Sequence, residues 1–255
     1  MTDNIPLATP PWNGLGKKLE STLRRAIYEF DLLENVDKLA VALSGGKDSL
    51  SLLFLLKAIS GFGVRPFELV AIHITGEYTC GAGIGLNYLE AICKALNVPL
   101  IVKTSSRTLE NLECYGCSRE RRSLLFQAAK DAGCHTIAFG HHQDDNAQTL
   151  LLNLFHKGEF AGLLPKLKMV DYDVTIIRPL IHIPEEQIRE FSRQYGFARI
   201  TCQCPVGQNS KRKVTDTILS EVAEHFPHVR SNLALASLQW GSQKARKISE
   251  NQSTT

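Results

Sequence analysis

Apolar positions along the chain follow two alternating periodicities. Five short runs have strand length and are largely or wholly apolar, at residues 38–43, 67–74, 100–103, 135–139 and 174–177. Between them, apolar residues recur at helical spacing over 48–60, 86–97, 118–132, 144–156 and 184–195. Apolar strands that alternate with helices predict an α/β fold in which a parallel sheet carries helices on both faces. Ligands of such sheets bind beyond the carboxyl ends of the strands.

The two ends of the chain depart from this pattern. Residues 1–14 are rich in Pro, Asn and Thr and are expected to be loose. Residues 15–36 should form an amphipathic helix whose outer face is basic, with Lys17, Lys18, Arg24 and Arg25. The predicted main domain covers 37–200, and a cysteine-containing loop with helices follows over 201–240. The polar residues 241–255 are expected to form a solvated tail.

Composition narrows the class of protein. The 255 residues are 44% hydrophobic and 22% charged, which supports a sizeable core and excludes wholesale disorder. No run of about 18 uncharged apolar residues occurs, and the start lacks the pattern of a signal peptide, so neither a membrane span nor secretion is expected. The odd count of 7 cysteines favours a reduced, cytoplasmic chain with a few working thiolates. A net charge of +3 permits an anionic partner without requiring one.

Six small or polar residues follow the first predicted strand: Ser44, Gly45, Gly46, Lys47, Asp48 and Ser49. Consecutive glycines let backbone N–H groups converge on one anion, and the start of the next helix adds its positive dipole end. The alternative is a plain strand-to-helix turn capped by Asp48 or Ser49, but a cap requires one such residue and not six. We therefore predict a pyrophosphate-binding loop, although the spacing of a Walker A loop is missing.

The phrase SGGKDS directly after a first strand resembles the PP-loop ATP pyrophosphatases. This resemblance implies a Rossmann-like fold of the HUP type. It also implies that ATP is cleaved between its α- and β-phosphates and that a substrate oxygen is adenylated. The phosphates would lie on residues 44–49, and the adenine near the end of the second predicted strand, beside His73. Many members carry an acidic residue shortly after that strand, whereas this chain continues with Ile74, Thr75, Gly76 and Glu77 and has no Asp in the expected place.

A second motif, GHHQDDNAQT, covers residues 140–149 and follows the fourth predicted strand. Asp144 and Asp145 fall in the first turn of the next helix, where carboxylates suit the helix dipole and could hold Mg²⁺ against phosphate oxygens. Capping by Asp144, with the histidines as ordinary loop residues, is the alternative. The motif resembles that of the lysidine synthetases and the 2-thiocytidine enzymes, and Gln148 is more typical of the second group. The nucleotide contacts expected here are Gly140 and His141.

The cysteines fall into paired and single positions. Cys114 and Cys117 precede a helix rich in arginine, which favours thiolate, and Cys202 and Cys204 lie in a later loop rich in Gly and Pro. If the two segments meet, soft thiolates without clustered histidine suit zinc or an iron–sulfur cluster. Zinc would take four ligands, whereas three cysteines on a [4Fe–4S] cluster would leave one iron open. The single cysteines are expected to be inert: Cys80, Cys93 and Cys134.

Two longer phrases resemble the tRNA 2-thiocytidine synthetases. They are CYGCSRERR at 114–122 and a run at 144–183 that begins DDNAQTLLLNLF, and the resemblance extends over 15–220. It implies a [4Fe–4S] cluster held by Cys114, Cys117 and a third cysteine. Cys204 is favoured as the third ligand because it lies nearest to the Gly-Gln that continues the family phrase, and Cys202 is the alternative.

These resemblances imply ATP-dependent thiolation of a cytidine in the anticodon loop of tRNA. ATP and Mg²⁺ would act with four catalytic residues, namely Lys47, Asp48, Asp144 and Asp145. The implied partners are tRNA, which suits the basic segments near the motifs, and a cysteine desulfurase or other sulfur donor; a homodimer is one possibility. Three alternatives stay open: a lysidine synthetase-like enzyme, a non-catalytic zinc-stabilised RNA-binding protein, and a small-molecule amidotransferase or synthetase of the same superfamily.

Overall fold

The computed structural model describes residues 5–76, 85–106, 114–198 and 211–241. The strands in these ranges are β1 (Lys38–Ala42), β2 (Glu68–Thr75), β3 (Leu100–Thr104), β4 (Thr136–Ala138), β5 (Lys166–Met169) and β6 (Val174–Ile177). The helices are α1 (Gly14–Glu29), α2 (Lys47–Ile59), α3 (Leu86–Ala95), α4 (Cys114–Asp131), α5 (Gln143–Lys157), α6 (Glu185–Gln194), α7 (Lys211–His225) and α8 (Val229–Trp240).

The strands form one sheet with the order β3-β2-β1-β4-β6-β5. All neighbours pair in parallel except β5, which runs antiparallel to β6 at the edge. The predicted α/β fold is confirmed, and the antiparallel edge strand is the difference. The sequence of β5, KLKM, places two lysines among four residues, so it gives no apolar run of strand length. Lysine is a common residue of exposed edge strands because it discourages pairing with a further strand.

Helices cover both faces of the sheet because its central strands are apolar on both sides. Side chains alternate between the faces of a strand. Leu39 and Val41 of β1 contribute to a core shared with α1, α2, α3 and α6. Ala40 belongs to the opposite core, together with Leu125 and Phe126 of α4. Both cores lie below the carboxyl edge of the sheet and fix the positions of the loops that leave it.

The described part of the segment before α1 is anchored by buried side chains at Ala8 and Trp12. Trp12 is 8% exposed, and its ring makes edge contacts with Phe191 and Tyr195 of the α6 region. An indole buries a large apolar area and is held further by aromatic neighbours. That area outweighs the polar composition of the surrounding residues, so the expectation for residues 1–14 is wrong at Trp12. The helix that follows was predicted, and it buries Leu19 and Leu23.

The second half of the chain shows two further features. The sequence suggested that the Cys-x-x-Cys pair precedes α4. In the structure α4 begins at Cys114, so the pair lies within the first turn of the helix. α7 and α8 pack against α5, where Ala147, Leu219 and Ala234 form a small core.

Among the residues described, no helix combines the length and apolar character that a membrane crossing requires.

Candidate active site

The two sequence motifs meet between β1 and β4. These strands are neighbours, but β1 leads to β2 on one side and β4 leads toward β6 on the other. Their carboxyl ends therefore open a crevice, which is where doubly wound sheets bind ligands. A Cβ atom on Gly140 would lie 3.0 Å from backbone atoms of both Asp48 and Ser49. Only glycine lets the loop after β4 approach the start of α2 this closely.

The loop between β1 and α2 is held by its own serines. Ser49 Oγ accepts the N–H of Gly45 at 3.1 Å and donates to the carbonyl of Gly46 at 3.1 Å. Ser44 Oγ lies 3.1 Å from Ser49 Oγ, and Gly45 has a φ of 81°, which favours glycine. Gly46 is the N-cap and makes no side-chain hydrogen bond, so capping by Asp48 or Ser49 is not the explanation of this motif. The first-turn N–H groups of α2 have no intrahelical acceptor, and such groups bind phosphate.

Lys47, the first residue of α2, lies between two carboxylates. Its Nζ is 3.0 Å from Asp48 Oδ1 and 3.0 Å from Glu185 Oε1 at the start of α6. Burial lowers the pKa of Lys47, but the two carboxylates outweigh burial and raise this pKa above its ordinary value. In turn, burial raises the pKa of Glu185, and its bond to Lys47 overcomes this effect and lowers it. The ammonium and the Glu185 carboxylate therefore both stay charged at neutral pH.

Asp48 has a buried carboxylate oxygen beside the Lys47 ammonium. Oδ1 is buried and accepts no hydrogen bond from the part of the chain that the structure describes; Lys47 Nζ lies 3.0 Å from it as an ion-pair partner and donates to Oδ2 at 3.1 Å. The nearby ammonium offsets part of the cost of burying an oxygen that accepts no hydrogen bond, and a bound cation would offset more of it. This oxygen faces the crevice between the two loops, since Oδ1 is 3.8 Å from Nε2 of His142.

Asp144 and Asp145 each bond to the start of a helix. Asp145 Oδ2 accepts the N–H of His142 at 3.1 Å, and Nδ1 of His142 accepts the N–H of Asp145 at 3.4 Å, which makes a capping box at the start of α5. Asp144 Oδ2 accepts the N–H of Glu185 at 2.8 Å and so caps α6. The capping role suggested for Asp144 therefore serves a different helix, and His142 is the N-cap of α5.

The carboxylates of both motifs surround one imidazole. His142 Nε2 lies 3.4 Å from Asp145 Oδ2, and Nδ1 lies 3.9 Å from Asp144 Oδ2. Burial raises the pKa of Asp145, but His142, His141 and Arg212 outweigh burial and lower it. Across the described ranges, no three His, Cys, Asp or Glu side chains have the geometry of a metal cage. The site therefore offers carboxylates that could share a cation with a ligand's phosphates, because Mg²⁺ needs only one or two of them.

Two further histidines lie beside the crevice as neutral rings. His73 is 3% exposed, and its Nδ1 is 2.8 Å from the carbonyl oxygen of Leu43, so it supports the loop from below. Burial lowers the pKa of His73. His141 stacks on Phe139, and its Nδ1 accepts a hydrogen bond from Arg178 Nε at 3.3 Å. Burial and the Arg178 charge lower the pKa of His141 to about 3, so its Nε2 carries the single proton.

Comparison with known proteins shows which family the chain belongs to. Residues 16–203 match the PP-loop domain family. The chain is 33% identical to the tRNA-cytidine(32) 2-sulfurtransferase of Syntrophotalea carbinolica, over 88% of this chain and 90% of that protein. The protein of the same name from Geobacter metallireducens is also 33% identical, over 88% of this chain and 90% of its own. This chain belongs to the tRNA-cytidine(32) 2-sulfurtransferase family of PP-loop proteins.

The fold has a solved counterpart as well. The U34-tRNA thiolase NcsA from Methanococcus maripaludis, solved with its [4Fe–4S] cluster, has a TM-score of 0.72 to this chain. The similarity covers 88% of this chain and 78% of the thiolase. Because the two sequences are 22% identical, this similarity concerns the fold alone. The resemblance to PP-loop proteins and to 2-thiocytidine synthetases that the motifs indicated is thus confirmed.

Gln148, the residue that favoured the 2-sulfurtransferase family over the lysidine synthetases, joins α5 to the C-terminal helices. Its Nε2 donates to Asp216 Oδ1 of α7 at 2.9 Å. Arg230 of α8 donates to the same oxygen at 2.8 Å and lies 3.6 Å from Asp144 Oδ1. A glutamate at position 148 would face the Asp216 carboxylate with a like charge, so glutamine suits this neighbourhood.

The predicted cluster ligands divide between two parts of the chain. Cys114 and Cys117 occupy the first turn of α4. Their side chains, together with the whole of Cys202 and Cys204, lie outside the described residues, as does Cys80. Two of the cysteines expected to be inert are buried and free: burial raises the pKa of Cys93 to about 11 and also raises that of Cys134. Thiols in this state react slowly because the thiolate is scarce.

Sequence reasoning missed two charged residues of the site. Glu185 follows Pro184, and a Pro-Glu pair after a strand is a signal for a helix start, but nothing local reveals its contact with Lys47. Arg178 lies directly after β6 and bonds both His141 and the carbonyl of Leu164. Burial lowers the pKa of Arg178 to about 10, which leaves it charged at neutral pH. A buried arginine at the carboxyl end of a strand could have been singled out from its position alone.

Proposed function

We propose that this protein is an ATP-dependent tRNA thiolation enzyme that converts cytidine 32 of the anticodon loop into 2-thiocytidine. The base oxygen O2 attacks the α-phosphorus of ATP, and pyrophosphate leaves. A hydrosulfide then attacks C2 of the adenylated base, and AMP leaves with the former O2. The observation that carries the proposal is the start of α2, where uncapped N–H groups, the Lys47 ammonium and a buried Asp48 oxygen face one crevice.

The phosphates of ATP would bind the loop formed by residues 44–49. Helix N-terminal N–H groups and a positive dipole end stabilise negative charge without reorganising during the reaction. Lys47 would then neutralise the charge that develops on the departing pyrophosphate. Its ammonium lies at the mouth of the loop, where Asp48 and Glu185 keep it protonated.

Mg²⁺ fits the carboxylates of this site. Asp48 Oδ1 accepts no hydrogen bond from the described residues, and Asp144 and Asp145 retain lone pairs beside their helix contacts. Mg²⁺ keeps several waters and binds through one or two carboxylates and substrate phosphates. Asp48, with Asp144 and Asp145, would hold the ion, which would neutralise charge on the phosphates. The neutral His141, which offers Nε2–H, would donate to the nucleotide, and Gly140 would keep the loop after β4 close to the phosphate loop.

The chemistry of the cysteine set fits a [4Fe–4S] cluster, since thiolates are the ligands such clusters take. Cys114, Cys117 and Cys204 would hold it, and a cluster with three protein ligands supplies an iron site at which sulfur can bind. The sulfur would come from a cysteine desulfurase or another donor. The tRNA would approach over the same edge of the sheet, because α4 carries both the cysteine pair and the exposed Arg119 and Arg122.

The experiment that tests this function compares Lys47→Ala with Lys57→Ala. Both lysines belong to α2, but Lys57 lies in its last turn and is exposed. We expect Lys47→Ala to abolish ATP-dependent formation of 2-thiocytidine, measured by mass spectrometry of digested tRNA, while the visible absorbance of the cluster is retained. Lys57→Ala should match the wild type in both measurements.

Three outcomes would overturn the proposal. Lysine incorporated into tRNA in place of sulfur would indicate a lysidine synthetase-like enzyme. One bound zinc, no iron and no nucleotide turnover would indicate a zinc-stabilised RNA-binding protein. ATP cleavage that requires a small molecule and proceeds without tRNA would indicate a synthetase of another kind.

A further inference from the structure

The side chain of Lys47 is long and flexible, yet the reaction needs its ammonium in one place. A free lysine side chain loses rotamer entropy when it is fixed, so a fixed position has to be stabilised by contacts. Asp48 is adjacent to Lys47 in sequence, so it moves with the same turn of α2 and offers no independent anchor. Glu185 stands on a different helix, and its Oε1 lies 3.0 Å from Nζ.

We propose that Glu185 is a positioning residue that holds the Lys47 ammonium at the mouth of the phosphate loop. This inference rests on the proposed function, since the reaction it serves is ATP cleavage. The carboxylate itself adds negative charge near the site of an anionic ligand, which disfavours ATP binding in the ground state. Its presence there is explained by the geometry that it imposes on Lys47, not by attraction to ATP.

Glu185 is itself fixed from three sides. Its backbone N–H donates to Asp144 Oδ2 at 2.8 Å, which ties the start of α6 to the start of α5. Its Oε1 also lies 3.1 Å from Nη2 of Arg189, one turn along α6. Glutamate in the first turn suits the helix dipole as well. The contact between Glu185 and Lys47 therefore fixes the first residue of α2 relative to α6.

Asp144 acquires a second role through this arrangement. Arg230 of α8 lies 3.6 Å from Asp144 Oδ1, while Asp144 Oδ2 holds the Glu185 backbone. A continuous series of contacts thus runs from the C-terminal helices through Asp144 and Glu185 to Lys47. Each link joins two different elements, so the position of the ammonium is set by the tertiary structure.

The test compares Glu185→Gln with Glu186→Gln. Glutamine keeps the size of the side chain and removes its charge, and Glu186 is an exposed neighbour that pairs with Arg189 and Arg193. We measure tRNA-dependent pyrophosphate release and, separately, the equilibrium binding of ATP. Glu185→Gln should lower kcat by roughly 10- to 100-fold, since small misplacements of a reacting group have effects of this size. ATP affinity should be unchanged or higher, and Glu186→Gln should match the wild type in both readouts.

A second variant distinguishes position from charge. Glu185→Asp keeps the charge and shortens the side chain by one carbon, so it should recover part of the lost kcat. A kcat for Glu185→Gln within twofold of the wild type would overturn the inference, and so would a loss of ATP affinity as large as the loss of kcat. If the wild type releases no pyrophosphate, the proposed function fails instead, and ATP binding of the two variants still shows whether Glu185 affects the loop.

Discussion

The two helices that begin at the crevice, α2 and α5, differ in how their first turns are completed. α5 has a capping box in which His142 and Asp145 satisfy each other's backbone N–H groups. α2 begins after Gly46, which provides no side-chain cap. Both helices follow neighbouring parallel strands, and both carry aspartate in the first turn. The start of α5 is thus closed by the protein, and the start of α2 is open to a ligand.

Because of this difference, aspartates that occupy equivalent positions in the two first turns make different contacts. At the closed start, Asp145 uses one oxygen for the N–H of His142 and the other for Arg212, at 3.2 Å. At the open start, Asp48 has a buried oxygen that accepts no hydrogen bond from any described residue. We therefore expect Asp145 to contribute mainly to stability, and Asp48 mainly to ligand binding and chemistry.

Among the changes that compare these two helix starts, the largest effect is expected from Asp48→Ala at the open start. Loss of the proposed Mg²⁺ ligand removes a cation that stabilises charge on the phosphates, so kcat for tRNA-dependent ATP cleavage should fall by at least about 100-fold. The free energy of unfolding should change by less than about 1 kcal/mol, because a partly exposed ion pair contributes little. Turnover assays over a range of Mg²⁺ concentrations, combined with urea denaturation, measure both quantities. Near-normal turnover at ordinary Mg²⁺ concentrations would remove Asp48 from the metal site.

The matched change at the closed start is Asp145→Ala. Loss of the reciprocal cap should reduce the free energy of unfolding by about 1 to 2 kcal/mol, as substitutions at helix caps do. Urea denaturation measures this loss, and Glu221→Ala, which removes an exposed carboxylate from α7, serves as the control. Unchanged stability together with a sharply raised Mg²⁺ requirement would show that Asp145 acts as a direct metal ligand.

The pH dependence of that loss provides an additional check. The folded-state pKa of Asp145 is lowered below its ordinary value of 3.8. The stability that this shift contributes is therefore fully present above the ordinary pKa and disappears as the pH falls through the folded-state pKa. The unfolding curves of wild type and Asp145→Ala should converge in acid. A constant difference at every pH would indicate lost packing instead of a lost charge.

The same comparison shows what the sequence could predict. The motif SGGKDS predicts an anion-binding loop from local features alone, namely its glycines and its position directly after a strand. The parallel sheet followed from apolar runs, except at β5, where Lys166 and Lys168 interrupt the pattern. Capping was misassigned because Asp144 reaches a helix 41 residues further along the chain. Glu185 was missed for the same reason, since its partner Lys47 is brought near only by the tertiary fold.

The smallest effect concerns the body of α5 and is expected from Gln148→Glu. The amide now donates to Asp216 at 2.9 Å, and a carboxylate there would both lose this hydrogen bond and repel its neighbour. Arg230 compensates in part because it contacts the same oxygen, so we expect a loss of about 0.5 to 1.5 kcal/mol in the free energy of unfolding. Gln127→Glu is the matched control, because Gln127 donates to Asp131 at 2.8 Å on the exposed face of α4, where water screens the repulsion.

The double variant Gln148→Glu with Asp216→Asn restores one donor and one acceptor to the pair and should regain most of the loss. If it does not, the effect of Gln148→Glu comes from elsewhere on α5, and the contact with α7 is not what distinguishes glutamine from glutamate at this position.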